Sequence, residues 1–305
     1  EATNWGTLQK SRSLPSSSAV SPSSAGPTPP QALGPRRDAA EPARIGLGRS
    51  IEATGSSAGT MALLDWSVSP RGGQVAALRF GSVGAEGVRV GLLVKSLPLG
   101  GVVRFYGRDP GEVFEVPAQE INQVIQRNID AGDMTDAART YWSPQLDGDA
   151  ITVEFEVPAD TPTDLVEVSV PKLSHIAVGR KDLQGFLKAG GNCYRDVSCT
   201  SSYNELSKSV AMMVFSDAEG EPYSCTGTLL NDRMSSGTPY FLSANHCIPS
   251  QTEASTLVTL WAYKSASCNN TTDISESAEV LFGGATLLYA NADTDTSFMR
   301  LDDTP

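Results

Sequence analysis

The five cysteines of this 305-residue chain all lie between residues 193 and 268, and the first 192 residues contain none. Cysteines confined to one region favour disulfide bonds in an exported protein, because cytosolic thiols stay reduced. The alternative is a zinc site, which needs closely spaced ligand pairs such as Cys-x2-Cys. The spacings here are six, 26, 22 and 21 residues, so they favour disulfides over zinc.

Residues 56–178 consist of short apolar runs that are separated by turn residues. The clearest run is 151–157, in which apolar residues alternate with three polar ones, Thr152, Glu154 and Glu156. This alternation is typical of a strand in an antiparallel sheet with one face toward water. About seven or eight such strands predict an all-β fold, here a β-sandwich. Residues 118–129 are the exception, because their large aliphatic side chains recur at helical spacing.

The segments on either side of this region differ from it in composition. Residues 1–55 are rich in Ser, Pro, Ala and Gly, and they have too few large apolar side chains to offset the entropy of ordering. We expect them to form a disordered lead or linker. Residues 179–191 contain Lys181, Lys188 and a pair of glycines, and we interpret them as a hinge before a second domain at 192–305.

The charge and hydropathy of the chain argue against two classes of partner. A net charge of −12 argues against nucleic acid, which needs a basic protein surface. No apolar run approaches the ~18 residues that a membrane-spanning helix requires. The chain begins at Glu1 and stops at Pro305, soon after an apolar run, so we expect a fragment of a longer precursor.

The stretch from 240 to 247 combines a strand with a residue suited to catalysis. The apolar run 240–242 predicts a buried strand, and His246 follows where that strand gives way to a turn. A histidine in that position is held by the sheet and can face a cleft, and its ordinary pKa of about 6.5 suits proton transfer. The alternative is a half-exposed histidine beside a structural disulfide. The other histidine, His175, has no motif around it and is interpreted as structural.

The same stretch resembles the Leu-(Thr/Ser)-Ala-Xaa-His-Cys signature of trypsin-like serine proteases, and more narrowly that of their bacterial lysyl-endopeptidase-like branch. Four further patterns agree with this family in their order and spacing. They are Gly-Asn-Cys-Tyr-Arg-Asp-Val-Ser-Cys (191–199), Cys-Thr-Gly-Thr-Leu-Leu-Asn (225–231), Val-Thr-Leu-Trp-Ala-Tyr (258–263) and Thr-Asp-Thr-Ser-Phe-Met-Arg-Leu (294–301).

The resemblance implies a domain organisation. Residues 192–305, with six strand candidates, would be the first β-barrel of a two-barrel fold, and the second barrel would follow residue 305. Residues 56–178 would be the pro-region that such precursors carry before the protease. Cleavage would fall near the hinge, after Lys188 if the enzyme cuts after lysine. An ordinary interdomain linker is the alternative for this hinge.

The resemblance also implies roles for individual residues. His246 would be the general base and acid, and Asp295, rather than Asp293, would orient it. The serine nucleophile and its oxyanion hole would lie in the second barrel, because no Gly-Asp-Ser-Gly segment occurs in this chain. The implied disulfides leave one cysteine for the second barrel; the pairs are Cys225–Cys247 and Cys199–Cys268, and the remaining residue is Cys193.

The sequence therefore predicts a secreted serine endopeptidase precursor that acts on proteins or peptides and needs no cofactor or metal. The chain as given is expected to be inactive, because its nucleophile would be supplied by the second barrel. The alternative is a secreted β-sandwich binding or adhesion protein whose protease-like portion is catalytically dead.

Overall fold

The computed structural model describes residues 17–20, 41–107, 112–179, 195–270, 273 and 278–305. These residues form mostly β-strands with few helices, so the fold is all-β, as the sequence predicts. No helix within the described ranges is long and apolar enough to cross a membrane. The chain divides into two compact units, which are Glu1–Gly26 with Gly48–Ala177, and Pro27–Leu47 with Val178–Pro305.

The described residues contain nineteen strands and three α-helices. The strands are β1 (Ser17–Val20), β2 (Ala43–Arg44), β3 (Gly46–Ser50), β4 (Ser67–Val68), β5 (Gln74–Gly81), β6 (Gly87–Ser96), β7 (Val102–Tyr106), β8 (Val113–Pro117), β9 (Thr140–Trp142), β10 (Leu146–Asp147), β11 (Ala150–Val157), β12 (Glu167–Ile176), β13 (Val210–Ser216), β14 (Pro222–Leu230), β15 (Tyr240–Ser243), β16 (Val258–Trp261), β17 (Glu279–Leu281), β18 (Ala285–Asn291) and β19 (Thr296–Leu301). The helices are α1 (Ser57–Leu63), α2 (Ala118–Asp130) and α3 (Gln251–Ala254).

Two sheets make up the first unit. The larger has six strands in the order β1-β5-β11-β7-β8, with β4 paired to β5. The smaller has five strands in the order β10-β6-β12-β3, with β9 paired to β6. Helix α2 covers the segment whose aliphatic spacing predicts a helix, and it buries Ile121 and Ile125 on one face.

Strand β11 differs from the sequence prediction, because neither of its faces is wet. It pairs with β5 on one edge and β7 on the other, and all eight of its residues are buried. Glu154 and Glu156 are buried together with Arg104, which is 1% exposed and forms ion pairs with both. Its Nη1 donates to Glu154 at 2.8 Å and to Glu156 at 2.6 Å, and its Nε donates to Glu115 at 2.6 Å. Buried charges require such partners.

The histidine of the first unit is buried on β12. The side chain of His175 is held by the hydroxyl of Ser82, which lies 2.9 Å from Nδ1. Burial, and to a smaller extent the nearby Arg49, lowers the pKa of His175 to about 4. The ring is therefore neutral at physiological pH, and its position in the sheet is that of a core residue.

The second unit contains one eight-stranded sheet. Its order is β17-β16-β13-β14-β15-β19-β18, with β2 paired to β14. Its core includes the edge-to-face contact between Phe241 and Trp261, whose ring centroids are 5.8 Å apart. A side chain at Gly227 would place its Cβ 2.3 Å from the Phe241 ring, so only glycine lets β14 and β15 pack here.

The sequence predicts a single strand over 278–289, and the structure corrects this prediction. Two strands, β17 and β18, replace it, because the chain turns at Gly283 and Gly284. Gly284 has φ +76, a left-handed conformation that favours glycine. The carboxylate of Asp303 accepts a hydrogen bond from the Gly283 backbone N–H at 2.9 Å and fixes the turn.

Three strands lie within the described part of residues 1–55, the span that the sequence predicts as a disordered lead. The edges of β5, β14 and β12 supply backbone partners that composition alone does not reveal. Two buried isoleucines, Ile45 and Ile51, anchor the described part of this segment at 1% exposure each. Most of the hinge, including Lys181 and Lys188, lies outside the described residues, as do 1–16 and 21–40.

Candidate active site

The loop that carries His246 is fixed at both of its ends. Strand β15 ends at Ser243, whose hydroxyl donates to the carbonyl of Thr226 at 3.0 Å. After the turn, Cys247 and Ile248 return to the core with 4% and 0% exposure. The histidine between these anchors keeps 29% of its side chain exposed, so it is positioned by the sheet and reachable from outside.

Two disulfide bonds join four of the cysteines. Cys225 pairs with Cys247 at a Cα–Cα distance of 6.4 Å, and Cys199 pairs with Cys268 at 4.4 Å. These are the pairs that the family resemblance implies. The first closes a 22-residue loop around the histidine segment, worth about 3 kcal/mol in the chain-entropy model. The fifth cysteine, Cys193, lies outside the described residues.

Asp295 is the last residue of the turn between β18 and β19. Its φ is +48, a left-handed conformation that aspartate adopts more readily than most residues. The side chain of Asn291 stabilises this turn by accepting a hydrogen bond from the backbone N–H of Thr294 at 2.9 Å. The backbone N–H of Asp295 donates to the carbonyl of Ala292 at 3.3 Å, and β19 begins at the next residue.

The structure brings His246 and Asp295 together, although they are 49 residues apart in sequence. Nδ1 of His246 lies 2.7 Å from Oδ2 of Asp295, and the backbone N–H of His246 donates to Oδ1 at 2.9 Å. Asp295, and not its neighbour Asp293, makes this contact.

The electrostatics of this pair fix the protonation state of the aspartate. The hydrogen bonds from the backbone N–H and then the ring of His246, with a further one from the Asn245 backbone N–H, lower the pKa of Asp295. Because an ionised carboxylate can only accept, Nδ1 is the donor in this contact. In the neutral form of the imidazole, the lone pair is therefore on Nε2, which is the tautomer a general base requires.

His246, Cys225 and Cys247 lie close together but do not form a zinc site. A ring nitrogen of His246 and the sulfurs of Cys225 and Cys247 all lie within 4.8 Å of one another. The two sulfurs are bonded to each other, however, so neither is a thiolate that could ligate zinc.

Sequence reasoning missed two features of this site. The backbone amides that grip the Asp295 carboxylate have no side-chain signature, so no motif reports them. The second feature is β2, which pairs with β14 just before Cys225. Its residues, Ala43 and Arg44, carry no strand-type pattern that could have revealed it.

Two family models match consecutive parts of the chain. The model of the lysyl endopeptidase N-terminal domain matches residues 21–177, and the model of the lysyl endopeptidase C-terminal domain matches residues 187–305. The chain is also 33% identical over 280 residues to a lysyl endopeptidase of Pseudomonas aeruginosa. That alignment covers 87% of this chain and 56% of the relative, so the chain spans about half of the relative's length.

Proposed function

The chain belongs to the lysyl endopeptidase family, and we propose that it carries the histidine and aspartate of a serine endopeptidase. The observation that carries the proposal is the 2.7 Å contact between Nδ1 of His246 and Oδ2 of Asp295. Family membership does not favour the alternative, a binding protein with a dead protease-like portion.

In this proposal, Nε2 of His246 accepts the proton of a serine hydroxyl as that oxygen attacks the scissile carbonyl. Asp295 holds the tautomer and stabilises the imidazolium that forms, and the proton then passes to the leaving amine. The serine and the oxyanion-hole donors belong to a second barrel that follows residue 305 in a longer protein. Two facts support this placement: the relative is longer than this chain, and the chain has no Gly-Asp-Ser-Gly segment.

The proposal extends to the two units. The two sheets of the first unit form the β-sandwich of a pro-region, and the eight-stranded sheet of the second unit is the first barrel of the protease. The two disulfide bonds support export to an oxidising compartment. Proteins and peptides are the substrates, and residues 1–305 by themselves are inactive because a general base needs a nucleophile within reach.

The test compares residues 1–305 with the chain extended through the natural downstream coding sequence. Both are assayed on casein and on lysyl and arginyl ester substrates. We expect turnover by the extended chain only, and loss of that turnover in His246→Ala. Silence of the correctly folded extended chain would contradict the proposal. Turnover by residues 1–305 that His246→Ala abolishes would show that the nucleophile lies within them.

A further inference from the structure

One edge of β14 is shared by two strands. Strand β13 pairs with β14 from Pro222 to Thr228 and so occupies one edge along most of its length. On the other edge, β15 pairs with residues 228–230 and β2 pairs with Tyr223 and Ser224. Residues 225–227 lie between these two partners.

His246 lies at this gap. The chain leaves β15 at Ser243, which still contacts the carbonyl of Thr226, and reaches the histidine three residues later. A ring nitrogen of His246 is within 4.8 Å of the sulfur of Cys225. Strand β2, which pairs with Tyr223 and Ser224, therefore lies on the same edge of β14 as the gap beside the histidine.

The bound segment is well anchored. Arg44 lies opposite Tyr223, Ala43 lies opposite Ser224, and the backbone N–H of Ile45 donates to the carbonyl of Pro222 at 3.0 Å. The side chains of Ala43 and Ile45 are 9% and 1% exposed.

A half-buried ion pair adds to these contacts. Nη1 of Arg44 lies 3.1 Å from each carboxylate oxygen of Glu221. Glu221 also accepts a hydrogen bond from the hydroxyl of Tyr223 at 2.9 Å.

The direction of the segment matters for what it blocks. In the antiparallel register, residue 43 lies opposite 224 and residue 44 opposite 223, so the backbone at Ala43 points back toward Cys225 and the histidine. An extended peptide that reached His246 along this edge would need the same backbone groups, because strand addition uses the exposed N–H and C=O groups of an edge.

We propose that residues 43–45 are an autoinhibitory strand, which occupies the edge of β14 that an extended peptide needs to approach His246. The inhibitory consequence rests on the proposed protease function, whereas the strand-docking site does not. When the strand leaves, Glu221 loses its cationic partner. The vacated edge then favours an extended peptide with a basic residue opposite Tyr223, between two small or apolar residues.

The docking site can be tested without catalysis, in residues 1–305. Hydrogen exchange followed by mass spectrometry reads the protection of residues 42–47 and 222–226. We expect exchange about tenfold faster in Arg44→Glu, since a charge-assisted hydrogen bond becomes a like-charge contact. The double variant Arg44→Glu/Glu221→Arg should restore protection. The matched control is Lys208→Glu, which replaces an exposed ion pair with Glu205 in the same unit by two like charges. It should leave the exchange of residues 42–47 and 222–226 unchanged.

A synthetic peptide with the sequence of residues 41–47 gives a second measurement. It should bind saturably to the Arg44→Glu chain, in which the edge is vacated more often, and at least tenfold more weakly to the native chain. Equal protection in the native and Arg44→Glu chains, or equal binding of the peptide to both, would overturn the docking site.

Activity separates this inference from the proposed function. In the extended chain, Arg44→Glu should raise kcat/KM for extended peptides severalfold while leaving small ester substrates less affected. His246-dependent activity that Arg44→Glu leaves unchanged on all substrates would overturn the autoinhibitory role. If exchange and peptide binding behave as expected but the extended chain is silent, the docking site stands and the protease proposal falls.

Discussion

The two histidines of this chain occupy opposite environments, one in each unit. His175 is 7% exposed, its Nδ1 contacts a hydroxyl, and burial keeps its ring neutral. His246 has 29% of its side chain exposed, and its Nδ1 contacts an ionised carboxylate. A buried neutral ring with no acidic partner serves packing, whereas an accessible ring with a carboxylate behind it can accept a proton and keep the resulting charge stable.

The same contrast holds for the charged groups of the two units. Arg104, Glu154 and Glu156 are buried in the first unit, with the arginine 1% exposed, and Glu115 contacts the same arginine from a partly exposed position. The side chain of Asp295, by contrast, is 43% exposed. The buried ion pairs of Arg104 contribute to the structure of the first unit. The partly exposed pair of His246 and Asp295 is accessible to a reacting group.

The sharpest test of the comparison is Asp295→Asn in the extended chain. The amide would present its N–H₂ or its neutral oxygen to Nδ1, so the tautomer and the imidazolium would lose their support. We expect kcat on an ester substrate to fall about ten-thousandfold, the size seen when the orienting carboxylate of such a triad is replaced. Unchanged kcat in a folded variant would place the orienting group elsewhere.

The next largest effect is expected from Arg104→Met in the first unit. Removing the arginine leaves the carboxylates of Glu115, Glu154 and Glu156 without their shared partner. The free energy of unfolding should fall by roughly 3–5 kcal/mol, as for other broken buried ion pairs. Urea denaturation measures the loss, and hydrogen exchange of β7 and β11 localises it.

Lys208→Met is the control for that experiment. It removes an ion pair with Glu205 whose side chains are 69% and 84% exposed. Such exposed pairs contribute little, so the change should stay within about 0.5 kcal/mol. Equal losses in the two variants would mean that burial does not distinguish the two kinds of charge.

A smaller effect is expected from the pH dependence of His175. Its pKa of about 4 in the folded state lies below the ordinary 6.5, so the unfolded chain takes up the proton first as pH falls. The stability that the neutral ring contributes is present above pH 6.5 and is lost as pH falls toward 4. We expect a loss of roughly 1–3 kcal/mol over that window in the native chain.

His175→Gln supplies the comparison for this window. The variant should lack that part of the decline, since it has no titrating ring at this position, while the other groups titrate in both proteins. Urea denaturation at pH 7, 6, 5 and 4 measures the difference. Parallel curves for the two proteins would show that the ring is not held neutral by its surroundings.

Local patterns predicted those parts of the fold that depend on local forces. The helical spacing of residues 118–129 predicts α2, and the alternation over 151–157 predicts the strand β11. The same alternation gave the wrong environment for the face that carries Glu154 and Glu156. Their partner, Arg104, is about fifty positions away in sequence, so the local pattern around the glutamates does not reveal the pairing.

The features that local patterns do not predict depend on contacts between residues far apart in sequence. The family motif predicts His246 and Asp295 as site residues. Neither the left-handed φ of Asp295 nor its hydrogen bonds from backbone amides have a sequence pattern. The composition of residues 1–55, which include 43–45, is that of a linker and predicts a disordered lead. Their order comes from the edge of β14, a partner that only the folded chain supplies.

The pairing of β2 with β14 also constrains the timing of biosynthesis. Arg44 and Tyr223 lie opposite each other but are 179 positions apart in the chain. At a ribosomal rate of about 5–20 residues per second, roughly ten to forty seconds separate the synthesis of the two strands. Residues 48–177, the larger part of the first unit, are synthesised within that interval. The nascent chain must therefore carry Ala43 to Ile45 unpaired through this wait, and the sheet of the second unit receives its earliest-made strand only after β14 has emerged.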